Sequence, residues 1–151
     1  MLSPARRPCR EGYADAARRV IAATAAGSLL LTVVGKDLVG RTRPPLVDAV
    51  PPYELSASFP SGHSLNSAAI GGIVAYLVLR RQRSARARAL TVTAAVAFAV
   101  TMGLSRVYLG HHWLTDVLAA WALGVAWLAV VITAHRLLLT LRPPTGTRTK
   151  A

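Results

Sequence analysis

Four long apolar runs dominate the pattern of hydrophobic and polar positions along this chain. They cover residues 20–35, 64–79, 89–104 and 117–134, and none of them contains a charged side chain. Once their interfacial flanks are added, all four fall near the roughly 17 to 25 residues with which a helix crosses a bilayer. The pattern therefore predicts an all-α, integral membrane helical bundle of about four transmembrane helices.

Small residues recur inside these runs and indicate how the helices pack. Gly71 and Gly72 are adjacent, and Ala95, Ala99 and Gly103 repeat at intervals of four residues. Such spacing favours close helix contacts in lipid. Because the same residues lower the hydrophobicity of the runs, a soluble Ala-rich helical bundle remains the alternative.

The charge balance narrows the class of protein further. The 151 residues suit one domain, 1–151, and they carry 18 Lys and Arg against 6 Asp and Glu, a net charge of +12. A nucleic-acid binder and a small multi-pass membrane protein both produce such numbers. The apolar runs favour the second class, so we expect the bilayer as a partner and no nucleic acid. The single Cys9 excludes an intrachain disulfide.

The basic residues also predict the orientation in the membrane. Segments 1–19, 80–88 and the stretch after residue 134 together hold fourteen of them, whereas segments 36–63 and 105–116 hold four. Loops rich in Lys and Arg stay in the cytoplasm. We therefore expect a cytoplasmic N-terminus, a cytoplasmic loop at 80–88 and a polar cytoplasmic tail at 142–151. Segments 36–63 and 105–116 would then share the external face of the cell membrane.

Segment 105–116 concentrates polar groups between two apolar runs. Asp116 follows His112 by four residues, so both side chains share one face if a helix starts here. A carboxylate on one ring nitrogen fixes the imidazole tautomer and leaves the other nitrogen as a lone-pair donor. His112 is therefore predicted to be an activated nucleophile. The alternative is a helix N-terminus with an early acidic residue and interfacial histidines.

Segment 36–63 begins with cations and ends in a glycine turn. Lys36 and Arg43 lie near its start, where anchoring to lipid phosphates is the alternative explanation. Ser61, Gly62 and His63 immediately precede the second run, and backbone N–H groups at a helix start bind anions. His63 is placed to protonate a leaving oxygen. A simple turn with an interfacial histidine is the alternative.

The two external segments together suit a phosphoryl group. Lys36, Arg43 and Arg106 supply positive charge, and two histidines offer opposite roles. Catalysis of phosphoryl transfer depends mainly on positioning and on stabilising charge on the equatorial oxygens. The sequence shows neither a carboxylate cluster typical of Mg²⁺ or Ca²⁺ sites nor a Cys and His spacing typical of zinc sites. We therefore expect no metal and no cofactor.

Three motifs, taken in order, resemble a known family. They are similar to the three-part motif of the type 2 phosphatidic acid phosphatase superfamily, which also includes the vanadium haloperoxidases. The motifs span somewhat over half of the chain. They are Lys36-x6-Arg43-Pro44, Pro60-Ser61-Gly62-His63 and Ser105-Arg106-x5-His112-x3-Asp116.

The resemblance implies a metal-independent phosphatase with assigned residues. His112 would form a phosphohistidine, Asp116 would orient it, and His63 would protonate the leaving group. His111 and Arg41 lie outside the motifs, and we expect a structural role for His111. The residues implied in phosphate binding are Lys36, Arg43, Ser61, Gly62 and Arg106.

The expected substrate is a lipid phosphate or diphosphate hydrolysed at the external membrane face. Undecaprenyl diphosphate is favoured by resemblance to bacterial relatives, while phosphatidic acid, phosphatidylglycerol phosphate and other polyprenyl phosphates stay open. Membrane members of the family have six spans, so the four runs here lead us to expect an N-terminally shortened chain. A homo-oligomer that replaces the missing helices is one hypothesis. An inactive membrane scaffold, a lipid-phosphate binder and a vanadate-dependent oxidase are the alternative functions.

Overall fold

Four α-helices make up most of the protein, and they account for the four apolar runs. The computed structural model describes residues 7–141, with side chains from residue 14 onward. The predicted tail 142–151 and the first six residues lie outside this range. A short 3₁₀ turn, Leu46–Asp48, interrupts the connection between the first two helices. The helices are α1, Arg7–Val39; α2, Gly62–Leu79; α3, Ala85–Tyr108; and α4, Leu114–Leu141.

All four helices are long and apolar enough to cross a membrane. No strand occurs among the described residues, so the all-α class and the multi-pass membrane arrangement are confirmed. The helices extend beyond the apolar runs from which we predicted them. In α1, Arg and Lys flanks continue the helix because their long unbranched side chains are good helix formers. Lys36 consequently lies in the last turn of α1, whereas we expected it to begin the loop.

Helix α2 is the centre of the bundle, since the three most extensive contacts between helices all involve it. Its buried residues Leu65, Ala69 and Ile73 recur every four positions and form one face. Val117 and Ala120 of α4 are equally buried and complete this core. Many large apolar side chains on the other helix faces are exposed, as expected of surfaces that face lipid.

Glycines allow the closest helix contacts, as the spacing of small residues predicted. A Cβ added at Gly72 would overlap the side chain of Leu128, and one at Gly103 would overlap Trp121. Gly103 is the one buried residue of α3. Helix α3 therefore depends on this small residue to approach α4.

Most of the buried polar residues gather at one end of the bundle. Helices α1 and α3 end there, and α2 and α4 begin there. The two connecting segments touch each other at this end, because Val50 N donates to Leu109 O and Trp113 Nε1 donates to Thr42 O, both at 3.0 Å. The alternating direction of the helices thus brings all three motifs together.

Candidate active site

His112 lies in the short turn between α3 and α4, two residues before α4 begins. Its side chain is almost completely buried. The backbone N–H groups of His111 and His112 both donate to the carbonyl of Arg106, at 3.0 and 3.2 Å. Gly110 precedes them with a φ of 69°, a conformation that glycine adopts without steric cost. These backbone contacts therefore fix the turn that carries the imidazole.

Asp116 is in the first turn of α4, and its side chain is fully buried. Its Oδ2 accepts from Ser58 Oγ at 2.5 Å and from the backbone N–H of Trp113 at 3.1 Å. The second bond is a capping contact, in which a side chain in the first turn reaches back to the residue before the helix. Its Oδ1 accepts from Arg41 at 2.9 Å. Three donors therefore hold this buried carboxylate.

His112 and Asp116 are neighbours, but they do not form the direct hydrogen bond that we expected. His112 Nδ1 lies 3.7 Å from Asp116 Oδ2 and 3.5 Å from Ser58 Oγ. The expectation required one helix to carry both residues, whereas α4 starts only after His112. The carboxylate oxygens are already engaged by other donors. Ser58 Oγ therefore lies beside both the carboxylate and the ring.

The surroundings of His112 favour a neutral imidazole. Burial and the adjacent Arg43 guanidinium lower the pKa of His112 to about 4, against the weaker opposite effects of Glu54 and Asp116. Arg43 lies 3.3 Å from Nε2, and a guanidinium only donates hydrogen bonds, so Nε2 is the ring nitrogen with the lone pair. The proton then resides on Nδ1, on the side of Asp116. This tautomer is the one that nucleophilic attack by Nε2 requires.

Arg43 is the central cation of the site. Its Nε donates to the Ser56 carbonyl at 2.7 Å, and its two terminal nitrogens donate to the His111 carbonyl at 2.6 Å and to Glu54 at 2.7 Å. These bonds orient the guanidinium beside His112. Its planar group of donors matches the oxygens of a phosphate.

Glu54 is an acidic residue of the site that the sequence analysis missed. Its Oε2 lies 2.7 Å from Arg43 and 4.0 Å from His112 Nε2. Partial burial raises the pKa of this carboxyl, but Arg43 and the nearby imidazoles outweigh that effect and hold the pKa below its usual range. The ionised carboxylate therefore takes the position beside Arg43 and His112 that an anionic ligand would need.

Residues of the motifs and of the first connecting segment surround a cavity of about 230 Å³, which we call the polar cavity. Lys36 faces it from the last turn of α1, and its Nζ donates to the Ala57 carbonyl and, at 3.0 Å, to Ser56 Oγ. Its lining combines a lysine, two histidines and a glutamate with small polar groups. The lining residues are Lys36, Glu54, Ser56, Gly62, His63, Asn66 and His112.

The start of α2 contributes Gly62 and His63 to this cavity, but not the side chain of Ser61. Helix α2 begins at Gly62, so the predicted helix start is where the glycine turn placed it. Ser61 is fully buried; its N–H donates to the Asp116 carbonyl at 3.4 Å, and its Oγ accepts from Ser64. Ser61 thus joins α2 to α4. His63 is exposed at the mouth of the cavity.

The side chain of Arg106, like those of Arg43 and Ser61, does not line the polar cavity. It is half-buried, with Nε 3.4 Å from Ser105 Oγ, and its carbonyl group accepts the hydrogen bonds from His111 and His112.

Arg41, which the motifs left out, is in contact with Asp116 and lies 5.6 Å from the Trp113 ring. His111 Nε2 donates to the Val50 carbonyl at 2.8 Å, a contact between loops that agrees with the predicted structural role.

The fold and the site define a class of protein: a membrane-spanning helical bundle with a histidine-centred, cationic pocket at one end. The model of the PAP2 superfamily matches residues 17–138. This match covers most of the chain and includes all three motifs. The chain therefore belongs to the PAP2 superfamily, as the sequence motifs indicated.

One curated relative and one solved structure, both from Bacillus subtilis, are similar to this chain. Phosphatidylglycerophosphatase B of strain 168 is 39% identical over 97 residues, which cover 64% of this chain and 47% of the relative. The crystal structure described as the first transmembrane PAP2 type phosphatidylglycerolphosphate phosphatase from Bacillus subtilis superposes with a TM-score of 0.73 at 32% identity. That comparison covers 81% of this chain and 60% of the other. The chain thus spans about half the length of its curated relative.

Proposed function

We propose that this protein is a lipid phosphatase whose nucleophile is His112. The observation that carries the proposal is the position of Nε2, an unprotonated nitrogen of a buried imidazole beside Arg43 and at the wall of the polar cavity. In a folded protein, a neutral nucleophile next to fixed cations suits attack on a phosphorus atom. The curated relative and the solved structure, both named as phosphatidylglycerol phosphate phosphatases, support the same class of reaction.

The proposed reaction has two steps. In the first, Nε2 of His112 forms a bond to phosphorus while the bond from phosphorus to the lipid oxygen breaks. His63 donates a proton to that oxygen, so the lipid leaves as an alcohol. In the second, water attacks the phosphohistidine, His63 takes back a proton, and inorganic phosphate leaves. Arg43 and Lys36 would stabilise the charge on the equatorial oxygens in both steps.

An apolar groove beside the polar cavity supports a lipid substrate. It has a volume of about 440 Å³, lies between α2 and α3, and meets the polar cavity at His63 and Asn66. A substrate with a phosphate in the cavity would therefore have its hydrocarbon part in the groove. The groove is lined by His63, Asn66, Ser67, Ile70, Gly71, Val74, Phe98 and Met102.

The substrates to compare come from two lipid classes. The names of the similar proteins favour phosphatidylglycerol phosphate, whereas our first expectation was undecaprenyl diphosphate. Phosphatidic acid is the simplest member of the first class. We further propose that the site faces the outside of the cell membrane and that both termini are cytoplasmic, because most basic residues lie in the alternate segments.

The test measures phosphate release from these substrates in detergent micelles with EDTA present. We expect release by the native protein and its loss in His112→Asn. His135→Asn is a matched control, because His135 is a buried histidine near the other end of α4, where it contacts Tyr76. Rapid acid-labile labelling of the native protein by a radiolabelled phosphate substrate would support the phosphohistidine. A folded native protein that binds orthovanadate but releases no phosphate would contradict the proposal and favour the lipid-phosphate binder.

A further inference from the structure

Asn66 lies at the junction between the two parts of the proposed substrate site. It follows His63 by three residues on α2, so both side chains share one face of the helix. It lines the polar cavity and also the apolar groove. A substrate that spans both compartments must pass this side chain just after the phosphoester.

The side chain of Asn66 is held from a neighbouring helix. Its Oδ1 accepts from Ser28 Oγ at 2.7 Å, the shorter of the two contacts of this hydroxyl, which also lies 3.0 Å from the Ala25 carbonyl; Ser28 is a fully buried residue of α1. The carboxamide has two further N–H donors on its nitrogen. An amide whose oxygen is engaged in this way is oriented before a ligand arrives, with its donors left for another acceptor.

The rest of the groove offers little hydrogen bonding to a ligand. Ile70, Val74 and Phe98 line it with hydrocarbon. Ser67 also lines it, but its hydroxyl donates to the Ser64 carbonyl at 2.9 Å. Besides His63, the proposed proton donor, Asn66 is therefore the polar contact available where the lipid chain joins the phosphate end.

We propose that Asn66 determines specificity by binding an oxygen on the second carbon from the scissile phosphoester. This inference rests on the proposed lipid phosphatase function. Phosphatidic acid has an ester oxygen on that carbon, and phosphatidylglycerol phosphate has a hydroxyl there, whereas an isoprenoid phosphate has only an alkene carbon. A site built to hydrogen-bond an oxygen discriminates against a ligand that lacks it, because its polar group is left unpaired. Asn66 thus favours phosphorylated glycerolipids over isoprenoid phosphates.

A matched pair of substrates tests the proposal on the native protein. The pair is hexadecyl phosphate and its analogue with a hydroxyl on the second carbon, which differ in one oxygen. We expect kcat/KM to be about tenfold higher for the hydroxylated substrate, or about 1.4 kcal/mol in the transition state. The same preference should favour dioctanoyl phosphatidic acid over farnesyl phosphate. Equal kcat/KM for the matched pair would overturn the inference.

Variants then assign the preference to the residue. In Asn66→Leu, the ratio of the two kcat/KM values should fall to about one, mainly through loss on the hydroxylated substrate. Ser28→Ala removes the hydrogen bond that orients the amide but leaves Asn66 itself unchanged, so it should lower the ratio in part. A purely structural role would reduce both rates equally and leave the ratio unchanged, which would refute the assignment. If the native protein releases phosphate from none of these substrates, the proposed function itself fails.

Discussion

The ion pair between Arg41 and Asp116 gives the sharpest test of the site. Arg41 Nη1 lies 2.9 Å from Oδ1 of the fully buried Asp116 and 2.6 Å from Thr115 Oγ1. The other carboxylate oxygen keeps its bonds from Ser58 and Trp113. The substitution Arg41→Gln removes the positive charge and retains an amide of moderate length. Asp116 would then stay buried, and its Oδ1 would lack a positively charged hydrogen-bond donor.

The size of the effect follows from the geometry. A hydrogen bond to a charged group contributes about 1.5 to 3 kcal/mol. The Arg41 side chain is 38% exposed, so solvent screening places its contribution at the lower end of this range. Each 1.36 kcal/mol corresponds to a factor of ten in rate. We therefore expect Arg41→Gln to lower kcat/KM about tenfold, through a less well-positioned Asp116.

A double-mutant cycle distinguishes this positioning role from a direct effect on the substrate. Phosphate release would be measured in detergent with EDTA for the native protein, Arg41→Gln, Asp116→Asn and the double variant. If Arg41 acts through Asp116, its removal costs little in the Asp116→Asn background. Arg41→Lys is the matched control, because it keeps the charge and should recover part of the activity.

Two results would refute this reasoning. One is a kcat/KM of Arg41→Gln within a factor of two of the native value. The other is a double variant whose loss equals the product of the two single losses, since independent residues add in free energy. Thermal unfolding in detergent, measured alongside, separates loss of function from loss of fold.

Three further predictions concern pH, anion binding and packing. The pKa of His112 is lowered to about 4, so between about pH 4 and 6.5 the unfolded chain binds more protons. Acidification across this window should therefore destabilise the native protein by up to about 3 kcal/mol, at 1.36 kcal/mol per pKa unit, and His112→Gln should remove most of that dependence. Glu54→Gln should tighten inhibition by orthovanadate about fivefold, or about 1 kcal/mol, because the carboxylate no longer competes for Arg43. Gly103→Ala should destabilise the protein by about 1 to 3 kcal/mol in thermal unfolding, because its Cβ would overlap Trp121.

Each of these predictions has its own control. Gly71→Ala matches the packing variant, because a Cβ there would meet Phe98 only at an ordinary contact distance of 3.5 Å. An equal loss of stability in both glycine variants would contradict the packing argument. Unchanged inhibition in Glu54→Gln would show that its carboxylate does not occupy the anion position. A pH dependence that persists in His112→Gln would assign the proton uptake to another group.

The motifs allowed much of the site to be predicted, because the alternating helices bring the ends of alternate runs together. His112, Asp116 and Arg43 lie close together, and Lys36 and His63 face the same cavity. Arg106 could not be placed correctly from its spacing, since the direction of a side chain at the end of α3 depends on the packing around it. Its role in phosphate binding stays a prediction.

The residues that the sequence analysis missed have no local pattern of their own. Glu54 and Ser58 lie in an irregular connection, where no periodicity indicates which way a side chain turns. Arg41 is two residues before Arg43, and both cations looked alike in the sequence. In the folded chain one contacts Asp116 and the other contacts His112.

The sequence by itself determined the membrane class, the four helices and the identity of the chemical groups, because apolar runs and short motifs are local properties. The tertiary structure alone decided which donors satisfy the buried carboxylate of Asp116 and which nitrogen of His112 holds the lone pair. It also placed Asn66 between the polar cavity and the apolar groove. These features depend on contacts between segments far apart in the chain, and such contacts form only when the helices pack.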